Sequence, residues 1–194
     1  MSNTWLVVGL GNPGPDYSHT RHNIGFMVAE ELASRIGASF KSNKSRALVA
    51  EGRLGMGGPK LVLAKPQTFM NLSGGPTSAL AKFYDLGADN VIAVQDEIDI
   101  PFNTIKLKIG GGEGGHNGLR DISKALGAKE YLRVRVGVGR PPGGQGDAAG
   151  HVLKVFSTAE KKELPFLIQD AADAVELLIS DGLLAAQQKF HPAK

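Results

Sequence analysis

Gly9-Leu10-Gly11-Asn12-Pro13-Gly14, directly behind the apolar run Trp5 to Val8, is the stretch on which the reading of this chain turns. An apolar strand running into glycines has the outline of a dinucleotide-binding turn. In that motif the third glycine opens a helix, so that a pyrophosphate meets the free N–H groups of the helix N-terminus. Here Pro13 and Pro15 bracket Gly14, and a polar segment with Tyr17 and Thr20-Arg21-His22-Asn23 intervenes. Helical periodicity begins only at Asn23, with Ile24, Met27, Val28, Leu32 and Ile36 on one face and Gly37 as the stop. The glycines are therefore expected to build a turn that presents side chains, namely Asn12, Tyr17 and His22.

Around that stretch, 194 residues suit one domain with a sizeable core. No apolar run reaches the length of a membrane span or a secretory segment, so the expectation is a soluble, cytoplasmic protein with no membrane partner. Cysteine is absent, which removes disulfides, thiol nucleophiles and thiolate metal sites together. A formal charge of +3 is compatible with a polyanionic partner without requiring one.

Strand-like runs fall at 4–8, 46–51, 60–64, 91–95, 104–109 and 131–138. Helical patterns fall at 23–36, 75–85, 117–126 and 158–181. The last is entered by the capping-box spacing Ser157 to Glu160 and stopped at Gly182, and Pro165 is expected to break its first turns. This order predicts a single α/β domain, 1–194, and the close runs at 46–51 and 60–64 predict a hairpin, hence a mixed central sheet flanked by helices. The stretch Arg140 to Gly150, rich in glycine and proline, reads as a flap over a cleft.

Unusual segments follow five of the strands: GLGNPG after Val8, AKPQTFMNLSGG after Leu63, QDEID after Val94, GGGEGGHNG after Ile109 and GRPPGG after Val138. Ligands of open α/β sheets gather beyond the carboxyl ends of strands, so these loops are expected to converge on one crevice. Several chemistries are disfavoured. No GxSxG elbow exists, and Ser73 is assigned to helix capping. His19 and His22 are three apart without a HExxH pattern, so no metal is expected, and His19 reads as an exposed loop residue. The run Gly110 to Gly118 lacks the lysine of a P-loop.

What remains is hydrolysis by water, a histidine and a carboxylate. Asp96 ends an apolar strand, where it can accept from an imidazole N–H and stabilise the imidazolium formed when a histidine takes a proton from water. Sequence alone leaves open whether His22 and Asp96 meet. A second clue is charge alternation in Ile105-Lys106-Leu107-Lys108-Ile109 and Leu132-Arg133-Val134-Arg135-Val136, which gives each strand one apolar and one cationic face. Were the strands neighbours, like charges would stand side by side and an anion such as phosphate would relieve them. Arg120, Lys124 and Lys129 extend this patch.

In the order GLGNPG, TRHN, FMNLSG, DEID, GGGEGGHNGL and RVRVGVGRP, the chain resembles the bacterial-type peptidyl-tRNA hydrolases from end to end. The resemblance implies hydrolysis of the ester joining a peptide to the terminal ribose of tRNA, recycling tRNA from prematurely released chains, with no metal or organic cofactor. By motif, His22 is the general base, Asp96 orients it, and Asn12 reads the acylated amino group. Asn71, Phe69, Tyr17 and Asn117 contact the substrate end of the tRNA, and Asn71 also helps hold water or the carbonyl. Lys108 and Arg135 clamp the 5′ phosphate. Met70, Gly114, Gly115 and His116 line the cleft. A monomer without an obligate protein partner is implied. Gln95 departs from the acidic residue or histidine common before the aspartate, which points to altered tuning of Asp96. Two rivals are a nucleic-acid-binding module without catalysis and a dinucleotide-dependent oxidoreductase. The lack of an acidic residue closing a second strand about twenty residues on weakens the latter.

Overall fold

The computed structural model describes residues 3–144 and 146–191. Seven strands form one sheet: β1 (Thr4–Gly9), β2 (Lys41–Asn43), β3 (Ala47–Arg53), β4 (Lys60–Pro66), β5 (Val91–Glu97), β6 (Ile105–Ile109) and β7 (Leu132–Gly137), in the order β2-β3-β4-β1-β5-β7-β6. The inner strands β4, β1, β5 and β7 are parallel; β3 returns antiparallel on β4, carrying β2, and β6 is antiparallel to β7. The expected hairpin is therefore β3–β4 within a mixed sheet.

Strand alternation distributes the core over two layers. Val7, Ile92, Val94 and Val134 pack with Ile24, Leu32, Leu167 and Val175 on the face covered by α1 (Ile24–Arg35) and α5 (Thr158–Asp181). Leu6, Val8, Val62 and Ala93 pack with Leu80, Leu119 and Ile122 on the face covered by α2 (Gly74–Phe83) and α3 (Asn117–Leu126). Both faces of β1 are buried, which explains its unbroken apolar run. A fourth, short helix α4 (Ala148–Val152) precedes α5, and α6 (Leu183–Phe190) covers the β6 edge. Gln187 Nε2 donates to Leu107 O at 3.0 Å, and Leu107 N donates to His191 Nε2 at 2.7 Å, so exposed ladder groups of that edge are met by the C-terminal segment.

Several expectations need correction. Pro165 does not break α5: it lies on an exposed side, where water can meet the carbonyl freed four residues back, and the Ser157–Glu160 capping box starts the helix as read. Ser73 is buried and does not cap α2; its Oγ donates to Met70 O at 2.7 Å, and the Gly74 N–H is met by Asp121 Oδ2 at 2.8 Å from α3. The stop at Gly182 (φ 89°) is also the start of α6. Part of the expected flap is helix α4, and Arg140 pairs with Asp99 at 2.6 Å. Gln145, within that expected flap, lies outside the described residues. No helix among the described residues is long and apolar enough to cross a membrane.

The loop after β6 also differs. Because β6 is antiparallel, Ile109 lies beside Leu132, at the end of the sheet opposite the carboxyl end of β7. The glycine-rich segment must run back along the sheet face, and its Gly112 carbonyl is held on the way by Arg133 Nη1 and Lys108 Nζ, both at 2.8 Å.

Candidate active site

Two glycines set the geometry. A Cβ on Gly25 would lie 2.4 Å from Leu10 N and from Val94 O, and one on Gly9 would lie 2.2 Å from Gly25 O. Only bare backbone lets the start of α1 press between the ends of β1 and β5, which brings the Arg21–Asn23 turn against Asp96. Gly9 of the opening motif thus serves close backbone approach, whereas Gly14, at φ 102°, serves the expected turn. Asn23 completes the turn: its Oδ1 accepts from Asn12 N at 2.8 Å and its Nδ2 donates to Asn12 O at 2.9 Å. Asn12 in turn accepts the Met70 N–H on Oδ1 at 2.6 Å, which ties the β1 and β4 loops together. Its Nδ2 hydrogens are the groups it can still aim at a ligand.

Asp96, almost fully buried, lies between two imidazoles. His22 Nδ1 stands 2.8 Å from Oδ2 and His116 Nε2 stands 2.9 Å from Oδ1. At His116, Nδ1 accepts the Leu119 N–H at 3.3 Å, so the ring proton sits on Nε2 and is donated to Asp96. Asp96 as an anion also accepts a hydrogen bond from His22 Nδ1–H, so Nε2 of His22 keeps its lone pair. Burial works to raise the Asp96 carboxyl, but the charges and hydrogen bonds of His22 and His116 prevail and hold it well below the usual carboxylate range. Burial works to lower His22, but the Asp96 charge and hydrogen bond outweigh it, leaving the imidazole above its ordinary 6.5. The three side chains have ligand-type atoms within 4.8 Å of one another. Both imidazole N–H groups point at the carboxylate a cation would need to share, and the arrangement is read as a hydrogen-bonded relay.

These groups open into a cleft of about 470 Å³. Asn12, His22, Asp96, His116 and Asn117 line it, with Phe69, Met70 and Asn71 from the β4 loop and Gly114 and Gly115 from the glycine-rich segment. Tyr17 is set back from this lining and meets Phe69 edge-on, with ring centroids 6.4 Å apart. Lys108 and Arg135 lie outside the cleft as well. In the β6–β7 ladder Lys106 is opposite Arg135 and Lys108 opposite Arg133, so the like charges are indeed neighbours. Their relief is partly internal. Arg133 is fully buried, donates to Gly112 O and Lys129 O, stands 4.5 Å over the Tyr131 ring and 4.0 Å from Glu113. Burial, then the neighbouring Arg133 and Arg135 guanidiniums, hold Lys108 below its ordinary value, and burial does the same to Arg135.

Gln95 faces away from Asp96, as successive strand residues do, and is in register with Arg135. Its departure from the common pattern therefore bears on the cationic strands. Sequence reasoning missed Asn23, whose role depends on a turn, and the apolar wall of the cleft formed by Ile98, Ala148, Ala149, Val152 and Leu153. Ala148-Ala149-Gly150-His151-Val152 is too short to carry a periodic signal. His116 was read only as lining, because its bond to Asp96 cannot be seen from spacing.

Comparison with known proteins shows what the chain is similar to. The family model described as peptidyl-tRNA hydrolase matches residues 6–194. A protein of Pseudarthrobacter chlorophenolicus named peptidyl-tRNA hydrolase is 72% identical over 194 residues, covering 100% of this chain and 98% of its own length. One of Paenarthrobacter aurescens with the same name is 70% identical over the full length of both. Among solved structures, the peptidyl-tRNA hydrolase of Acinetobacter baumannii superposes with a TM-score of 0.89 at 37% identity, covering 100% of this chain and 97% of that one.

Proposed function

Since the chain belongs to the peptidyl-tRNA hydrolase family, we infer that its cleft cleaves the ester between a peptidyl or N-acyl-aminoacyl group and the 3′-terminal ribose of tRNA, with water activated by His22 and oriented through Asp96. The observation that carries this reading is the His22 Nδ1–Asp96 contact of 2.8 Å at the rim of a cleft lined by carboxamides. His22 Nε2 takes a proton from water, the hydroxide adds to the ester carbonyl, and the imidazolium returns the proton to the departing ribose oxygen. Asp96 stabilises the imidazolium, and His116 holds Asp96 ionised. Side chains and solvent carry each of these steps.

Asn12 selects substrates whose amine is acylated. With Oδ1 committed to Met70 N–H, its Nδ2 donors suit the extra carbonyl that an acyl group brings. A free ammonium offers only donors and would lose hydration without a partner. Asn71 holds the water or the ester carbonyl, Asn117 contacts the substrate end of the tRNA, and Tyr17 and Phe69 offer it aromatic surface. Met70, Gly114 and Gly115 shape the cleft, and Lys108 and Arg135 hold the 5′ phosphate. In the cell this activity would recycle tRNA from prematurely released chains, in the cytoplasm and as a monomer.

Steady-state cleavage of an N-acetyl-aminoacyl-tRNA beside its unblocked counterpart tests chemistry and selectivity together. His22→Ala should lower kcat by about 10²–10⁴-fold while tRNA affinity persists. Unchanged cleavage would assign His22 no chemical role, and equal cleavage of both substrates would remove the Asn12 assignment.

A further inference from the structure

Arg21 immediately precedes the proposed base, yet its side chain is only 8% exposed and is not part of the cleft lining. Its Nη1 donates to His151 O at 3.1 Å, in the last turn of α4, and to Lys154 O at 3.5 Å, just past that helix. Its Nη2 meets Glu160 Oε1 at 2.7 Å, and the same oxygen accepts the Ser157 N–H at 2.8 Å in the capping box of α5. On the backbone side, Arg21 N donates to Lys154 O at 3.1 Å, and Thr20 forms an antiparallel bridge with Val155. A five-residue helix with an internal glycine has little stability of its own. At its end His151 O accepts the Lys154 N–H at 3.2 Å, and the Arg21 guanidinium adds a second, charged donor to His151 O and to Lys154 O from the segment that carries His22.

The other side of this helix faces the cleft through Ala148, Ala149, Val152 and Leu153. The cleft is therefore two-sided. Asn71 and Asn117 continue into a groove shared with Arg120, Lys124 and Asp121, whose carboxylate is engaged by the Gly74 N–H; this polar side suits an RNA end, whereas the α4 wall is apolar. We propose that Arg21 is a positioning residue for the acyl end of the substrate: by capping α4 and pairing with Glu160 it fixes the apolar wall against which the peptide following the ester packs. This rests on the reading of the cleft as a peptidyl-tRNA ester site and adds the residue that sets its peptide side.

The role separates from mere stabilisation by substrate dependence. His22 keeps its own bond to Asp96, and the backbone bridge to Lys154 survives loss of the guanidinium. Arg21→Gln should raise KM on the order of tenfold for a tRNA carrying an apolar tripeptide, the scale of losing charge-assisted hydrogen bonds. KM for N-acetylglycyl-tRNA should move far less, and kcat and the midpoint of the pH profile should hold. Glu160→Gln should act in the same sense, and the double variant should add little to Arg21→Gln alone. Leu153→Ser, at an exposed wall position, should show the same selective rise without touching the Arg21 network, and Arg21→Lys should restore part of the loss. Equal KM changes on both substrates, a fall confined to kcat, or an unchanged KM in folded Arg21→Gln overturns the proposal. If Arg21→Gln does not fold, Leu153→Ser and Arg21→Lys decide it by the same criterion. Failure of the unaltered enzyme to cleave either substrate would instead sink the assigned reaction.

Discussion

At the residue scale the Asp96 carboxylate matters because it does two jobs with two oxygens, and each job makes a separate prediction. To act as the proposed base His22 must be neutral, and its imidazole is held above the ordinary 6.5, so kcat/KM should rise with pH through a midpoint above that value. Asp96→Asn removes the charge that raises His22. The acid limb should then move to lower pH while the plateau falls by about tenfold or more, because a carboxamide can also donate to Nδ1 and invert the tautomer. A pH profile of the variant that keeps its midpoint would show that Asp96 does not govern the base. His116→Ala takes away one of the two N–H groups that keep Asp96 ionised. Its effect should appear in kcat with little change in KM, as measured by saturation kinetics. Two members of this relay, His22 and Asp96, were legible in the sequence through their motifs and the chemistry of a strand-end carboxylate. The third was not, because the evidence for its tautomer is a backbone N–H of Leu119 that folding supplies.

At the element scale, what brings the relay together is contact between backbones. The period-two strands, the capping box of α5 and the long periodic helices were readable because each reports a local preference repeated over many residues. The close crossing of α1 over β1 and β5 was only half readable: GLGNPG marks glycines, but the partner Gly25 lies in an ordinary helical pattern. Gly25→Ala should therefore cost about 2–3 kcal/mol or more in chemical denaturation, as overpacking against backbone cannot relax through a rotamer change. A variant as stable as the parent would mean that α1 can shift without penalty. The start of α2 shows the opposite failure of sequence reasoning. Ser73 has the right type and place for a cap, yet the donor at Gly74 is met by Asp121, which is 47 residues away. Asp121→Ala should cost about 1 kcal/mol, whereas Ser73 acts through its buried bond to Met70 O.

At the scale of the whole molecule, the antiparallel β6 sets Lys108, one of the two proposed phosphate ligands, away from Asp96 by a fixed amount, while Arg135 lies one level from it beside Gln95. Ile105 and Val136 share a level with Asp96, while Lys108 and Arg133 share one with Ala93. Three residues of strand rise put Lys108 about 10 Å along the sheet from Asp96. Such an offset suits a ligand whose 5′ phosphate and 3′ ester lie at one end of the same molecule. Arg133 is fully buried among carbonyls and 4.0 Å from Glu113, so an anion on these strands would meet Lys108 and Arg135, each held below its ordinary value by burial first, with the exposed Lys106 beside Arg135. If they bind phosphate, Lys108→Ala with Arg135→Ala should raise KM for 5′-phosphorylated substrate and flatten the salt dependence of tRNA affinity. The slope of log affinity against log salt should fall by about 1–2, the contribution of one or two phosphate contacts. Removing the 5′ phosphate from the substrate should reproduce the KM effect in the parent protein and leave the double variant indifferent. An unchanged salt slope, or a double variant that still discriminates the 5′ phosphate, would mean that these strands face solvent and that the RNA is held by α3 alone.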